Sequence, residues 1–175
     1  GWAGSGKAFY TPGIMAFFLY MVAFMDTTAT IPTGAMAERW KWKAFVGWGL
    51  FCGAIYYPLF GAWTWGGGWL AQLGNSMDLG AGYVDFAGSG VVHAVGGVAG
   101  LAGSLVLGAR IGKFNKDGSA NVLPGHHIPM AMLGTFILLF GWFGFNAAST
   151  FAATDTRFAV VALNTALAAA FGATS

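Results

Sequence analysis

The sequence predicts an all-α membrane protein, a polytopic transmembrane helix bundle of about five spanning helices. Only 8% of its 175 residues are charged and 57% are hydrophobic, with a mean hydropathy of +0.65; soluble domains carry about 25% charged residues. Twenty-nine glycines and 17% aromatic residues fit closely packed membrane helices. The hydrophobicity excludes a disordered chain, and a net charge of +2 indicates no nucleic-acid partner.

Five apolar runs are long enough to cross a bilayer, which takes about 20 residues in a helix. None alternates with period two, as a transmembrane β-strand would. We expect a single transmembrane domain over residues 1–175. The chain begins with Gly1 and its last apolar run reaches Ser175 without a polar exit, so we interpret it as a fragment of a longer protein. The runs are Thr11–Met36, Ala44–Trp63, Ser89–Leu107, Ile128–Phe151 and residues 158–175.

Basic residues set the expected orientation. Six of the eight lie in two alternate loops, between the first and second runs and between the third and fourth. The positive-inside rule places these loops in the cytoplasm, so the first helix runs inward. The six are Arg39, Lys41, Lys43, Arg110, Lys113 and Lys116. In the first of these loops, Glu38 beside Arg39 is expected to form a local ion pair.

The loop after the second run has three tryptophans around three glycines, Trp63 to Trp69. The tryptophans fit an interfacial aromatic belt. The glycines also permit sharp turns that bring a ring close to a ligand, and a tryptophan face at an outer vestibule can hold a small cation. Both interpretations stay open.

His93 lies inside the third run, where an ionisable residue is expected to face the protein interior or a pathway. Gly96, Gly97 and Gly100 follow at helical spacing on the same face. This smooth face allows either close helix packing, as the Gly96/Gly100 pair suggests, or an opening beside the imidazole. A hydrogen-bonded packing histidine is the alternative to a pathway residue.

Two carboxylates accompany these helices. Asp85 begins the third helix, where it can cap free backbone N–H groups and complement the helix dipole; it could also lower the potential for an approaching cation, and we favour capping. Asp26 lies in the first run beside Thr27 and Thr28, which predicts a hydrogen-bonded intramembrane charge. No partner for Asp26 is evident.

Residues 141–149 combine two glycines, three aromatic residues, an amide and a hydroxyl near an outer helix end. They could line a narrow hydrophobic constriction or simply pack as an aromatic core. His126 and His127, before Pro129, are expected to be solvated or to cap a helix. Cys52 is the one cysteine, so no internal disulfide forms, and no metal-ligand spacing is present. Phosphate-binding and hydrolase motifs are absent, which argues against an enzyme and favours a membrane pathway.

Four motifs together resemble the ammonium transporter family, the Amt/Mep/Rh proteins, along nearly the whole chain. Each alone is suggestive, whereas all four in order are highly specific. The resemblance implies an eleven-helix fold, a homotrimer with a pore through each subunit, and no cofactor. The chain would correspond to about transmembrane helices three to seven of the Amt branch. The motifs are residues 34–39 (GAMAER), 65–68 (WGGG), 85–93 (DFAGSGVVH) and 141–147 (GWFGFNA).

The resemblance also implies roles for individual residues. Trp65 and Ser149 match the aromatic wall and the accepting hydroxyl of the outer ammonium recruitment site, where Asp85 matches the acidic residue that acts structurally and electrostatically. Phe24, fourteen residues before Glu38, matches the outer ring of a stacked phenylalanine gate at that site. Phe145 matches the inner ring of the gate. His93 matches the first of two pore histidines, and no residue of this sequence matches the second.

The implied activity is transport of ammonium or ammonia by an integral, multi-pass protein of the plasma (cell inner) membrane. Trp65 would supply a cation–π face and Ser149 an acceptor, while a dry lumen penalises a full charge. An ammonium sensor on the same scaffold and an Rh-type neutral gas channel are the alternatives; Trp65 favours the Amt branch over the gas channel. A PII-type regulatory protein could bind the basic cytoplasmic loops.

Overall fold

A computed structural model describes residues 11–175. Helices dominate this part of the chain, and its extended structure is a single antiparallel bridge between Phe114 and Ala120. The predicted all-α class is therefore confirmed. The helices are α1 (Pro12–Met36), α2 (Trp42–Phe51), α3 (Tyr57–Trp63), α4 (Leu73–Met77), α5 (Val95–Leu107), α6 (Ile128–Ala147) and α7 (Thr156–Thr174).

Two π-helical turns and one 3₁₀ turn extend these helices. Cys52–Tyr56 joins α2 to α3, Ser89–Ala94 precedes α5, and Ala148–Thr150 follows α6. With these additions, residues 11–175 contain five continuous helical segments that are long and apolar enough to cross a membrane, as the sequence predicts. The protein is thus an integral multi-pass membrane protein.

Helix caps explain where the spans begin. The Thr11 hydroxyl accepts a hydrogen bond from the Ile14 N–H at the start of α1. The fifth span begins at Thr156, two residues before the predicted Phe158, because the Asp155 carboxylate caps the helix by accepting from the Arg157 N–H at 2.9 Å. His127 caps α6 through its Nδ1, which accepts from the Met130 N–H. This capping role is one of the two expected for that histidine.

The described residues divide into two compact units, residues 11–110 and 111–175. The first contains α1 to α5, and its main contact joins α1 to α5. The second contains α6, α7 and the loop before them. One transmembrane domain over residues 1–175 stays a prediction.

Glycines make the contact between α1 and α5 close. A Cβ atom on Gly96 would lie 2.8 Å from the Ile31 Cβ, and one on Gly100 would lie 3.5 Å from the Pro32 Cα. The predicted helix contact through this pair is therefore confirmed. Gly97 instead meets open space on another side of α5. An opening beside the His93 imidazole stays a prediction.

The α2–α3 segment attaches to this pair through hydrogen bonds to backbone carbonyls. The Trp48 indole donates to the Ala29 carbonyl at 2.9 Å, and the Tyr56 hydroxyl donates to the Val95 carbonyl at 3.1 Å. Both acceptors lie in helices, so the bonds add to the helical ladder without breaking it. They hold α2 against α1, and the π-helical turn after α2 against α5.

The expected local ion pair between Glu38 and Arg39 is wrong. Glu38 lies 3.8 Å from the Arg110 Nε, and the Arg39 guanidinium donates to the carbonyls of Ala35 and Gly108. Glu38 has a φ of 68°, so the chain turns sharply after α1 and separates the two side chains.

The second unit is built on the α6–α7 pair. The Asn146 amide donates to the Thr165 hydroxyl at 3.1 Å across the two helices. An apolar groove with a volume of about 660 Å³ lies beside this bond. Its lining includes Met132, Phe136, Trp142, Ala168, Ala169 and Gly172.

Candidate functional site

The WGGG motif folds back over the end of α3. The Gly66 N–H donates to the Gly61 carbonyl at 2.9 Å, and the Gly68 N–H donates to the Ala62 carbonyl at 3.0 Å. A Cβ at Gly68 would lie 2.6 Å from the Ala62 oxygen, and Gly67 has a φ of +75°. The turn therefore needs glycine for both its close approach and its backbone conformation.

This turn gives Trp65 an environment different from those of its neighbours. Trp63 and Trp69 contact each other with ring centroids 5.9 Å apart, and Trp69 is exposed, as a residue of an interfacial belt would be. The Trp65 indole instead donates to the Asp85 carbonyl at 2.7 Å. Its ring meets Phe24 edge-on, with centroids 5.7 Å apart and planes at 81°.

Phe24 is buried, with 3% of its surface exposed. It lies one turn after Tyr20 on α1, and the two rings are 4.7 Å apart. The Phe24 and Trp65 rings meet edge-on, an arrangement that stabilises an aromatic pair by about 0.5–1.5 kcal/mol beyond its burial, while the Tyr20 and Phe24 planes are tilted by 48°. Phe24 is thus held between the Tyr20 ring and the Trp65 ring.

The Asp85 carboxylate caps the turn that follows it. One oxygen accepts from the Gly88 N–H at 2.7 Å, and the other accepts from Gly90 and Val91 at 2.9 and 2.7 Å. The Ser89 hydroxyl also donates to it, at 3.4 Å. The favoured capping interpretation thus has a geometric basis, because three free N–H groups at a helix start are satisfied by one side chain.

Tyr83 completes the surroundings of Asp85. Its hydroxyl lies against Gly90, where any side chain would collide with it. Burial, and then the negative charge of Asp85, raises the pKa of the Tyr83 phenol. Its ring also meets Phe60 edge-on at 6.3 Å. Tyr83 was not among the predicted site residues, and its place two residues before Asp85 on the same loop was the available signal.

His93 lies in the π-helical turn Ser89–Ala94. Its Nδ1 is 3.2 Å from the Gly88 carbonyl oxygen, to which its backbone N–H also donates at 3.0 Å. The imidazole is half-buried, and Gly97, four residues later, borders open space. A π turn is a common device for placing a functional side chain within a helix.

Gly88 joins these parts. It has a φ of +105°, and a Cβ there would lie 2.7 Å from a Val92 methyl and 3.6 Å from the Trp65 ring. The Gly88 N–H donates to the Asp85 carboxylate, and the Gly88 carbonyl oxygen lies 3.2 Å from the His93 Nδ1. Trp65, Asp85 and His93 therefore meet around one glycine, and Phe24 contacts the cluster through Trp65.

Phe145 and Ser149 belong to the second unit. The Ser149 hydroxyl is buried and donates to the Phe145 carbonyl at 2.6 Å, one turn earlier on the same helix. The Phe145 ring is half-buried and lies 6.2 Å from the Trp142 ring. Their roles as gate ring and accepting hydroxyl stay predictions.

The hydroxyls beside Asp26 do not donate to its carboxylate, and its hydrogen-bonded role within the bundle stays a prediction. The hydroxyls of Thr27 and Thr28 donate to the Ala23 and Phe24 carbonyls on their own helix. Asp26 is exposed on α1. Helical hydroxyls prefer the carbonyl one turn back, which takes both of them away from a neighbouring carboxylate.

Comparison with known proteins gives a consistent family. The model of the Ammonium Transporter Family matches residues 3–175. The chain is 47% identical over 175 residues to the ammonium transporter Amt2 of Archaeoglobus fulgidus, covering 99% of this chain and 37% of that protein. It is 45% identical over 137 residues to the ammonium transporter 1 member 2 of Arabidopsis thaliana, covering 77% and 27% respectively.

A solved structure agrees with these relatives. The chain is similar to a protein described as a sensor Amt protein, with a TM-score of 0.79 and 43% identity over 88% of this chain and 38% of that one. The chain thus spans well under half the length of the proteins it matches. The fold, the motifs and the family model lead to one conclusion: this chain belongs to the ammonium transporter family.

Proposed function

We propose that the protein carrying residues 1–175 transports ammonium or ammonia across the plasma membrane through a hydrophobic pore. The cluster of Trp65, Phe24, Asp85 and His93 carries this proposal. It combines an aromatic face, a satisfied carboxylate and an imidazole inside a membrane span. The family membership supports ammonium as the substrate.

Trp65 is the cation-recognition residue in this proposal. An ammonium ion gains about 2 kcal/mol from an aromatic face in a desolvated position. The bond from the indole to the Asp85 carbonyl fixes the ring, so little rotational freedom is lost on binding. Ser149, from the second unit, would accept a hydrogen bond from the ion.

The Phe24 and Phe145 rings would then exclude hydrated ions. A dry lumen penalises a full charge, which favours loss of a proton from ammonium. The His93 imidazole offers a hydrogen-bonding group to the neutral molecule that remains. Potassium matches ammonium in charge and approximate size but has neither N–H donors nor a proton to lose, and this difference is the basis of selectivity.

Variants at Trp65 test the recognition step in the complete gene product, hereafter the full-length protein. Trp65→Leu removes the π-face and is expected to raise the half-saturating ammonium concentration about thirtyfold, since a loss of about 2 kcal/mol corresponds to that factor. Trp65→Phe keeps a face but loses the N–H, and is expected to lie between. Ammonium-evoked currents in proteoliposomes measure both. Equal values for all three proteins would contradict the role of Trp65.

His93→Ala tests the pore role. We expect it to disrupt selective ammonium transport, measured as ammonium current relative to potassium current. Gly97→Ala, on the open side of the same helix, is the control for a small change in volume. An unchanged current with unchanged selectivity in His93→Ala would overturn the assignment.

An ammonium sensor is the second candidate, and the similarity to a sensor Amt protein favours it. A sensor would bind ammonium with the same Trp65 dependence but without flux. Ammonium binding measured by calorimetry, beside uptake into proteoliposomes, separates the two. Uptake of methylammonium against carbon dioxide separates both from a neutral gas channel. Homotrimer formation and binding of a PII-type protein are further parts of the proposal, and both are testable with the purified protein.

A further inference from the structure

Arg39 lies in the sharp turn after α1 and contacts two helices. Its guanidinium donates one hydrogen bond to the Ala35 carbonyl in the last turn of α1 and another to the Gly108 carbonyl at the end of α5. Gly108 itself closes α5, with its N–H donating to Ser104. One half-buried side chain therefore joins the carboxyl ends of two helices, and Arg39 is 69 residues from its more distant partner, Gly108.

The two helix ends need such a cation. Contacts between α1 and α5 advance together along both helices, from Ile31 with Gly96 to Met36 with Gly103, so the helices are parallel. Their carboxyl ends then lie side by side, and each carries a partial negative charge and free carbonyls. The planar guanidinium satisfies one carbonyl of each end and offsets both partial charges.

Both site residues lie far along the helices from these joined ends. Phe24 lies twelve residues before Met36, where α1 ends, and His93 lies fourteen residues before Leu107, where α5 ends. At about 1.5 Å per residue, they are roughly 18 and 21 Å from the joined ends. Pro32 interrupts the hydrogen-bond ladder of α1 between Phe24 and Arg39, so the helix has a natural hinge there. Sliding or bending of α1 against α5 would move Phe24 relative to His93.

We propose that Arg39 is a positioning residue: by holding the carboxyl ends of α1 and α5 together, it fixes the axial position of Phe24 relative to His93. The functional consequence rests on the transport proposed above. Without the guanidinium, α1 moves along α5, the contact between Phe24 and Trp65 loosens, and discrimination between ammonium and potassium falls.

The neighbouring charges do not share this role. Glu38 and Arg110 are 3.8 Å apart, with 71% and 41% of their side chains exposed. Exposed ion pairs of this kind contribute little to stability. Glu38→Gln is therefore a matched control, because it changes one charge on the adjacent residue and leaves both helix ends capped.

The first experiment reads the position of the helices directly. Ser104 Oγ lies 3.4 Å from the Ala35 carbonyl oxygen, so cysteines introduced at these two positions are neighbours. In the full-length protein with Ala35→Cys and Ser104→Cys, we expect mild oxidation to give an efficient crosslink, detected by mass spectrometry of unreduced peptides. Adding Arg39→Gln is expected to slow crosslinking about fivefold or more, whereas adding Glu38→Gln changes it less than about twofold. Each single-cysteine variant controls for reaction with the buried Cys52.

The second experiment reads function. Arg39→Gln is expected to lower the ammonium-to-potassium current ratio about fivefold or more in correctly assembled protein, and Glu38→Gln to leave it unchanged. Oxidising the cysteine pair in the Arg39→Gln background is expected to restore the ammonium-to-potassium current ratio. Reducing the crosslink is expected to lower the ratio again. A residue needed only for stability would lower yield without altering selectivity, and a crosslink would not restore selectivity.

Two outcomes would overturn this proposal, and a third concerns only the proposed transport. Crosslinking at the same rate with and without the Arg39→Gln substitution, or a selectivity that the crosslink fails to restore, would overturn the role of Arg39. If Arg39→Gln does not assemble, Arg39→Lys, which cannot present the same planar pair of donors, replaces it in both measurements. A wild-type protein without ammonium current would contradict the proposed transport, while the crosslinking rates would still test the helix position.

Discussion

The α1–α5 pair and the α6–α7 pair solve helix packing in different ways. In the first, glycines on α5 let the backbone of α1 approach, and Arg39 joins the two ends. In the second, a hydrogen bond from Asn146 to Thr165 crosses the helices beside an apolar groove of about 660 Å³. The glycine contacts and the Arg39 bonds together specify one register over several turns, whereas a polar bond beside a groove specifies a single point. The site residues Phe24 and His93 lie on the pair whose register is specified.

The largest effect is expected from filling the glycine contact. Gly96→Leu would place a side chain where a Cβ already lies 2.8 Å from Ile31, in a position with no space. Overpacking of this kind costs about 1–3 kcal/mol or more, so we expect loss of most monodisperse protein in size-exclusion chromatography. Gly97→Leu, the adjacent position with open space, is expected to assemble normally. Equal yields of Gly96→Leu and Gly97→Leu would contradict the claim that the α1–α5 pair packs through close glycine contacts.

A smaller effect is expected at Gly88. Alanine there adopts a positive φ at a cost of about 1–2 kcal/mol and meets a Val92 methyl at 2.7 Å. We expect the Trp65 ring to shift and the half-saturating ammonium concentration to rise several-fold, with the protein still folded. Gly47→Ala, at a helical position with open space, is the control. If Gly88→Ala leaves the half-saturating ammonium concentration unchanged, Gly88 is not needed to position the Trp65 ring.

The polar contact of the second pair is expected to contribute less. A double-mutant cycle with Asn146→Leu and Thr165→Val measures its coupling, which averages about 0.6 kcal/mol for hydrogen bonds between membrane helices. Unfolding in mixed micelles provides the free energies. A coupling above about 2 kcal/mol would mean that this bond, like the glycine face, fixes the register of its helices.

The smallest effect is expected at the start of α7, and it depends on pH. Hydrogen bonds from the Arg157 backbone and side chain lower the pKa of Asp155 below its ordinary 3.8. The folded pKa is depressed, so the stabilisation is present above the unfolded pKa and is lost as pH falls through the folded value. We expect Asp155→Asn to lower the Tm slightly at pH 7, with the difference disappearing as the pH falls through the lowered pKa of Asp155 in the folded protein. Asp78→Asn, outside a long helix, controls for the change in charge. A difference that persists in full at the acid end of the titration would contradict the linkage.

The sequence predicted the positions of the helices better than the contacts between residues that are distant in the chain. Apolar runs placed all five spans within a few residues, because hydropathy and length determine what can cross a bilayer. The Gly96/Gly100 contact and the capping by Asp85 followed from local rules of spacing and helix ends. Each of these features depends on residues close together in the chain.

Long-range contacts were the part that local rules missed. Arg39 was assigned to adjacent Glu38, but it bonds to Gly108, and no local pattern indicates a partner so distant. Asp26 was expected to use its neighbouring hydroxyls, which instead bond to their own helix. The π-helical turns add one residue to a helical turn, a change too small to alter an apolar run.

The π-helical turn Ser89–Ala94 makes the third span sensitive to changes in chain length. Successive residues of an α-helix are rotated by about 100°. Deleting one residue from this turn would return it to α geometry and rotate everything before it, including Asp85 and the carbonyl that meets His93, by about that angle around the helix. The residues before the π-helical turn and those after it are therefore rotated differently about the helix axis. The rotation before the turn positions the Asp85 loop, and the rotation after it positions the glycine contact with α1. A single-residue deletion here would leave the span long enough for the bilayer and yet bring the wrong face of the loop to Trp65.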